Sequence, residues 1–258
     1  MVDPISLGGQ RAGERSWVPS VAHLSPSDLA PGLLLGEGVV LGPGVQVGGN
    51  VVIHSNTRIG PGAIVQDGAV IGKPVHLGTM SSAPREELTP ARLGAGSAVL
   101  AGAVVLAGAT VEDGAIVGDQ AQLRERSVVG ANSVVGRGSA IDNDVDIGAR
   151  VRIGSNCYIT AYSQIHDDAF LGPGVITTND NTMARLPAGA TLEGVHLGRA
   201  CRVGGGVVIC PGIEIGEEAF IAAAAVVTKD VPSRTVAMGV PAVPTGTVPD
   251  EDLHGRAQ

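Results

Sequence analysis

The sequence predicts an all-β protein, a parallel β-helix built as a triangular solenoid of six-residue units with two loop excursions. Three observations predict it. Aliphatic–glycine pairs recur every six residues over most of the chain, from Leu41-Gly42 and Val47-Gly48 to Ile215-Gly216, in three runs separated by two interruptions. The 258 residues include 39 glycines and are 44% hydrophobic but only 2% aromatic, a composition suited to a small-residue repeat rather than an ordinary bulky core. No helical period of 3.6 runs through residues 35–177.

Each part of the six-residue unit has a structural reason. With the aliphatic residue as position one, position five is small or β-branched: Val51, Thr57, Ala63, Ser133, Val151, Cys157 and Ala169 are examples. Side chains alternate along a strand, so positions five and one point inward together and position six points out between them. Gly, Asn, Asp and Pro fill positions two to four, where the chain turns. Three units make one coil of about 18 residues, and stacked coils pair as parallel strands about 4.8 Å apart. The domain boundaries follow from the phase. Residues 1–34 form a lead-in, 35–232 the β-helix and 233–258 a C-terminal tail. The polar, proline-bearing stretches 78–92 and 178–196 break the phase and are expected as surface loops, where solenoids often carry function.

The pattern [LIV]-G-x-x-[small]-x resembles the hexapeptide-repeat family, and the resemblance spans roughly 35–232. It implies a left-handed parallel β-helix. The hand comes from the resemblance, since the usual crossover rule would give the right hand. Position six is apolar at Val104, Ile116, Val128, Val134, Phe170, Ile176 and Val208, and the column Ile116, Val134 and Phe170 suggests a covered face and an oligomer. The family adds the homotrimer, with active sites between subunits.

Charge and composition exclude other classes. A net charge of −8 disfavours nucleic acid as a partner. No apolar run is long enough for a membrane span, and the N-terminal MVDPISLGGQRAGERSWVP has no stretch of signal-peptide type. Cys157, Cys201 and Cys210 are too few for a disulfide framework and read as small packing residues in a reducing compartment. The expectation is a cytoplasmic protein.

Candidate functional residues are those that break the repeat. Spacing of 18 puts Asp144, Tyr162 and Asp180 in one column at one corner, with Asn143, Ala161 and Asn179 beside it. Asp142 belongs to the same corner. Turns favour Asn and Asp in any case, but Tyr162 is one of only two tyrosines and sits at the mouth of the second loop. His166 falls at the next corner above Gly148, in the segment AYSQIHDDAFLGPG. If the second loop is a pure insertion, His196 comes to lie near Gln164 and His166. His23, His54, His76 and His254 read as surface residues.

The C-terminal run IAAAAVVTKDVP, followed by VAMGVPA, resembles the end of the helix in hexapeptide acyltransferases, where a small-residue coil meets coenzyme A. That resemblance implies acetyl-CoA or another acyl-CoA as co-substrate. Ala222 and Ala224 would leave backbone open beside pantetheine, and Lys229 would offer a charge to phosphate. Residues 159–181 resemble the nucleotide-sugar N-acyltransferases at Ile165, Asp167, Asp168, Phe170, Gly172, Pro173, Thr178, Asn179 and Asp180. Relatives often carry Glu at the position of His166, and Pro-Arg where this chain reads Asn181-Thr182-Met183-Ala184-Arg185. The resemblance implies an acyl-CoA-dependent N-acyltransferase that acetylates the amino group of a nucleotide-linked amino sugar. His166, Asn179 and Asp180 would be catalytic, and Asp142, Asp144, Tyr162, Asn181, Arg185 and His196 would bind substrate. No metal is expected. The alternatives are a zinc hydrase of the γ-carbonic anhydrase kind, using His166 and His196 with a partner's histidine, and a non-catalytic solenoid scaffold.

Overall fold

The computed structural model describes residues 23–79, 81, 83–187 and 191–255. The N-terminal stretch read above for a leader lies outside the described residues. The described chain is an all-β parallel solenoid. Three sheets of 11, 11 and 9 strands form its faces, and almost every strand is two residues long. Within the solenoid each strand pairs in parallel with the strand one coil away. The first face carries strands such as Val104–Leu106, Ala140–Ile141 and Ile176–Thr177. The second carries Val128–Val129, Gln164–Ile165 and His196–Leu197, and the third Val134–Val135, Arg152–Ile153 and Phe170–Leu171. The corner between the first and second faces is called the first corner, and the other two follow in chain order.

The inside of the prism holds the residues expected there. Position one is buried at Ile59, Val129, Ile147, Ile153, Leu171 and Ile215. Position five is buried at Val51, Thr57, Ala103, Val145, Val151 and Ala169. Burying one such aliphatic side chain contributes about 1.5–3 kcal/mol, and the column repeats it coil after coil. Position-five hydroxyls are satisfied between coils: Ser133 donates to the Gly148 carbonyl at 2.7 Å and accepts from the Val151 N–H at 2.8 Å. Cys157 and Cys201 are buried packing residues, and burial pushes the Cys201 thiol up to about 12, which removes it as a nucleophile.

Glycine after the aliphatic residue is required by coil spacing. A Cβ at Gly130 would collide with the carbonyl of Gly148 in the next coil. The fourth position takes left-handed backbone, as at Asn132 (φ 58) and Asn156 (φ 58), which Asn, Asp and Gly tolerate best. Both ends are covered. Leu24–Ser27 lies antiparallel on Leu33–Gly36 at one edge. Thr235–Gly239 extends the third face in parallel with Phe220–Ile221, and Ala242–Thr247 folds back antiparallel on it.

Both loops are pure insertions. Arg58 pairs with Arg92 across the first, and Gln164 with His196 across the second, so the sheets continue in register. Each loop leaves the end of a first-face strand (Val70–Lys73 or Ile176–Thr177) and returns to the start of a second-face strand. Both therefore emerge from the first corner.

Val151 is completely buried, so Val151→Asp puts a carboxylate in the dry prism without a partner. The expected loss is about 4 kcal/mol or more, read as a large fall in melting temperature. Val151→Ala, which only removes methyl groups, should lose far less.

Candidate active site

The first corner carries a charged ladder. Arg126 grips Asp144 one coil above with two bonds, from Nε at 2.6 Å and Nη2 at 2.8 Å. Arg124 reaches Asp142 through Nη1 at 2.6 Å and the buried Glu125 through Nε at 3.1 Å and Nη2 at 2.7 Å. The Tyr158 hydroxyl donates to the other oxygen of Asp142 at 2.9 Å, and Asn143 Nδ2 donates to Asp144 at 2.7 Å. Burial pushes the Asp144 carboxyl up, but the Arg126 fork and the Asn143 amide outweigh it and hold the group below its ordinary value. Burial raises the Tyr158 phenol, reinforced by the Asp142 carboxylate.

The two loops fold over this ladder from opposite ends. Leu88 of the first packs beside Gly108 at the corner. Ser81 and Ala83 of that loop, Leu192 of the second, and Asn143, Tyr162 and Asn179 of the corner enclose a cavity of about 200 Å³. A second cavity of about 300 Å³, reaching Lys73, His76 and Gln122, shares Ser81 and Arg124 with it. Together they make one groove along the corner. Arg124 and Asp142 neutralise each other in its floor, which leaves hydroxyls and amides around Asn143 and Tyr162 and the Lys73 ammonium and His76 imidazole at the other end.

The column expected at this corner holds up to Tyr162, whose N–H donates to the Asn143 carbonyl at 3.3 Å. Above it the stacked residue is Gly194, whose missing side chain lets its backbone lie on the Tyr162–Ser163 peptide. Asp180 instead turns into its own loop. It accepts the Thr182 N–H at 2.6 Å, the Thr182 hydroxyl at 2.7 Å and the Ala184 N–H at 2.6 Å. These bonds hold its carboxyl below the ordinary value, with the Thr182 hydroxyl the largest contributor. Asn179 stays over Ala161, and Asn181 and Arg185 lie exposed in the loop. Lys229 is exposed at the same corner, beyond Val226–Val227.

The other candidates lie elsewhere on the prism. His166 is exposed at the second corner, with its N–H bonded to the Leu197 carbonyl at 2.9 Å. His196 stands outward on the second face between Gln164 and Glu214. Ala222 and Ala224 form the third corner beside Gly205, whose carbonyl accepts the Ala224 N–H at 2.9 Å. One chain thus does not bring His166 to Asn179 and Asp180, nor Ala222 to Lys229.

The second corner is also built by ion pairs. Asp168, with a side chain only 4% exposed, receives Arg150 Nε at 2.6 Å, and Arg199 lies 3.4 Å away. The Arg150 hydrogen bond is the main reason its carboxyl lies below the ordinary value. The C-terminal segment folds back here: the His254 N–H donates to Glu218 at 2.9 Å, and Leu253 is buried.

Arg124, Glu125, Arg126, Tyr158, Arg150 and Arg199 were not singled out by the sequence reading. A signal was available for most of them. Arg124/Asp142, Arg126/Asp144, Arg150/Asp168 and Arg199/Glu217 are opposite charges 18 residues apart. Glu125 gave none, because a corner glutamate is normally solvated and only the folded loops and arginines bury it.

Similarity to known proteins follows the repeat. Residues 32–67 match the family described as bacterial transferase hexapeptide (six repeats). Residues 125–161 and 186–211 match hexapeptide repeat of succinyl-transferase. The galactoside O-acetyltransferase of Escherichia coli is 31% identical over 124 residues, covering 42% of this chain and 59% of that protein. A putative acetyltransferase of Staphylococcus aureus is 33% identical over 125 residues, 43% of this chain and 63% of that one. The chain therefore spans about three fifths of the length of these relatives. Among solved structures, a maltose O-acetyltransferase from Clostridium difficile is 28% identical with a TM-score of 0.42, covering 47% of this chain and 70% of that one.

Asp144 and Asp168 both have lowered carboxyl values, so each adds stability that is present above the unfolded value near about 3.9 and is lost as pH falls through the folded one. Asp168→Asn is expected to lower stability at neutral pH by about 1–2 kcal/mol and to flatten the decline below about pH 4. Melting temperatures followed from about pH 7 to pH 3 check this; an unchanged acid limb in the variant contradicts it.

Proposed function

We propose that this chain, which belongs to the hexapeptide-repeat acyltransferase family, transfers an acyl group, in the simplest case acetyl, from an acyl-CoA to the amino group of a nucleotide-linked amino sugar. The observation that carries the proposal is the convergence of both phase-breaking loops on one corner. There they wall a groove presenting Ser81, Asn143, Tyr162 and Asn179, a lining suited to a polyhydroxylated ring. The amine, rather than a hydroxyl, is assigned from the likeness of residues 159–181 to nucleotide-sugar N-acyltransferases.

A homotrimer completes the site in this proposal. The outward residues of the first face are largely apolar (Val70, Val104, Ile176, Val208), and those of the third are apolar at Ile64, Ala98, Ile116, Val134 and Phe170, with Arg152 and Arg202 on either side of Phe170. The second face is mostly polar, presenting Arg58, Arg92, Thr110, Asp146, Gln164, His196 and Glu214 beside Val40 and Val128. Packing the first face of one chain on the third face of the next buries the apolar faces and leaves the polar one in water. It also sets the first corner of one chain beside the second corner of the next. His166 then comes to the groove holding Asn179.

In the reaction the neutral amine attacks the thioester carbonyl. The C–N bond forms, the C–S bond breaks and coenzyme A leaves as the thiol. His166 takes the proton from the nitrogen, directly or through one water, an aid worth about 10²–10⁴-fold. A backbone N–H at a glycine corner steadies the oxyanion. Asn179 orients the acceptor, and Asp180 does so indirectly by fixing the start of the second loop. Lys229 meets a phosphate of the co-substrate; in this packing the third corners of the chains meet one another, so Ala222 and Ala224 lie away from the cleft and the pantetheine role is not carried over to them.

The test is transfer of labelled acetyl to nucleotide-linked amino sugars, with the product treated with mild alkali. An amide survives and an ester does not, so a labile product overturns the N-acyl assignment. His166→Ala and Asp180→Ala should each be slow alone and recover part of the activity when mixed as hetero-trimers. Failure of folded, exchanging trimers to recover argues against the shared site. Lys229→Ala should raise the KM for acyl-CoA several-fold while the sugar KM stays put.

A further inference from the structure

Acylating an amine that arrives as an ammonium takes two protons off its nitrogen, and His166 accounts for one. An amine with a value of about 8 or above is mostly ammonium at about pH 7. One proton must go before attack, to free the lone pair, and the other goes as the C–N bond forms. A second acceptor in the cleft answers that need, and the second corner holds a histidine that reads from the sequence only as a surface residue.

His254 lies where the C-terminal segment folds back across this corner, lining a cavity of about 670 Å³. The segment is held there without the imidazole. Leu253 is buried, the Asp252 carbonyl accepts Arg202 Nη2 at 2.8 Å, and the backbone N–H of His254 donates to both oxygens of Glu218, at 2.9 and 3.1 Å. The ring itself is nearly half exposed, with Nε2 3.6 Å from Asp168 Oδ1. Asp168 does not need it as a counter-ion, since Arg150 donates to both its oxygens, at 2.6 and 3.1 Å, and Arg199 lies 3.4 Å away. The imidazole neither anchors the segment nor neutralises the acid, yet a fixed carboxylate backs it. That is the arrangement of a base with its orienting group.

The other charged groups near it suit an incoming cation. Arg150 and Arg199 are engaged by Asp168, Asp167 and Glu217, and the Asp252 carboxylate has no cation within 4.0 Å among the described residues. Arg152 and Arg202 belong to the third face, which the proposed trimer turns to the neighbour's first face. The same packing makes His254 the inner imidazole of the corner. His166 opens the corner just after Gln164–Ile165 of the second face, whereas Asp168 closes it just before Phe170–Leu171 of the third. Asp168 also shares a coil with Tyr162, and coils keep their height around a three-fold axis parallel to the prism.

We propose that His254 of one chain takes the first proton from an acceptor ammonium seated in the neighbour's groove, leaving the second to His166. One of the two protons departs on the sulfur of coenzyme A and the other passes to water. The inference rests on the acyltransferase reading above and adds a catalytic residue to it.

His254→Gln tests it, because the backbone N–H on Glu218 and the buried Leu253 remain and the melting temperature should match the parent's. Its kcat/KM for the amino-sugar acceptor should fall about ten-fold or more near pH 7. It should come within about two-fold of the parent near pH 9.5, where the amine arrives neutral, so the acid limb moves from about 6.5 up to the amine's own value. His166→Gln should be slow at both pH values. Cross-linking tests the placement without turnover. Cys210 is partly exposed at the first corner and shares a coil with Glu218, while Cys157 and Cys201 are buried. A short bis-maleimide should therefore join His254→Cys to the neighbour's Cys210, giving linked chains on a denaturing gel that the parent does not give. A loss equal at every pH, no loss, or no link between chains overturns the inference and leaves acyl transfer standing. A parent that acylates no amine sinks the acyltransferase reading and this inference with it. If His254→Gln melts lower, free imidazole added to His254→Gly decides: partial recovery supports the proton role, and none overturns it.

Discussion

The structure depends on the close approach of successive coils. Parallel strands pair at about 4.8 Å, so each corner must fit within one strand spacing of the corners above and below it. At Gly130 and Gly148 a side chain has nowhere to go. The same limit forces left-handed backbone at Asn132 and Asn156, and small residues at position five. The core is therefore a one-dimensional column of aliphatic layers, each supported mainly by its neighbours.

Such a column has almost no freedom to form a pocket inside itself. Chemistry must be added at the outside, where a corner can release chain without disturbing the sheets. Both insertions use the first corner, and pairing resumes in register after each. The coils between them then become a floor, and the loops become walls. Ion pairs between stacked corners stiffen that floor: Arg124 with Asp142, Arg126 with Asp144, and on the far side Arg150 with Asp168. Partly shielded and fixed by two or more hydrogen bonds, these pairs hold geometry better than solvated surface pairs do.

The same column separates functional groups that are close in sequence. Asp180, His196 and Ala222 lie on a corner, a face and a different corner of the prism. One short strand is enough to send His166 around the edge from Tyr162. The proposed use of these residues in one site therefore depends on neighbouring copies packing through the first and third faces. The C-terminal segment adds a wall at the second corner from residues remote in sequence, with Leu253 buried against it.

By itself the sequence determined the repeat, the inward and outward positions, the two insertions and the 18-residue stacking, because a period of six is a local property that each unit restates. It also held the pairs Arg126/Asp144 and Arg150/Asp168 at that spacing, legible to anyone reading charges by coil. Tertiary structure alone decided that Asp180 leaves its column to fix a loop while Gly194 takes the place above Tyr162. It alone buried Glu125, brought Ser81 and Leu192 to one groove, and folded His254 back onto Glu218. The reason is that loops and tails carry no period. Where they land is set by the surface they pack against, and that surface exists only once the coils have stacked.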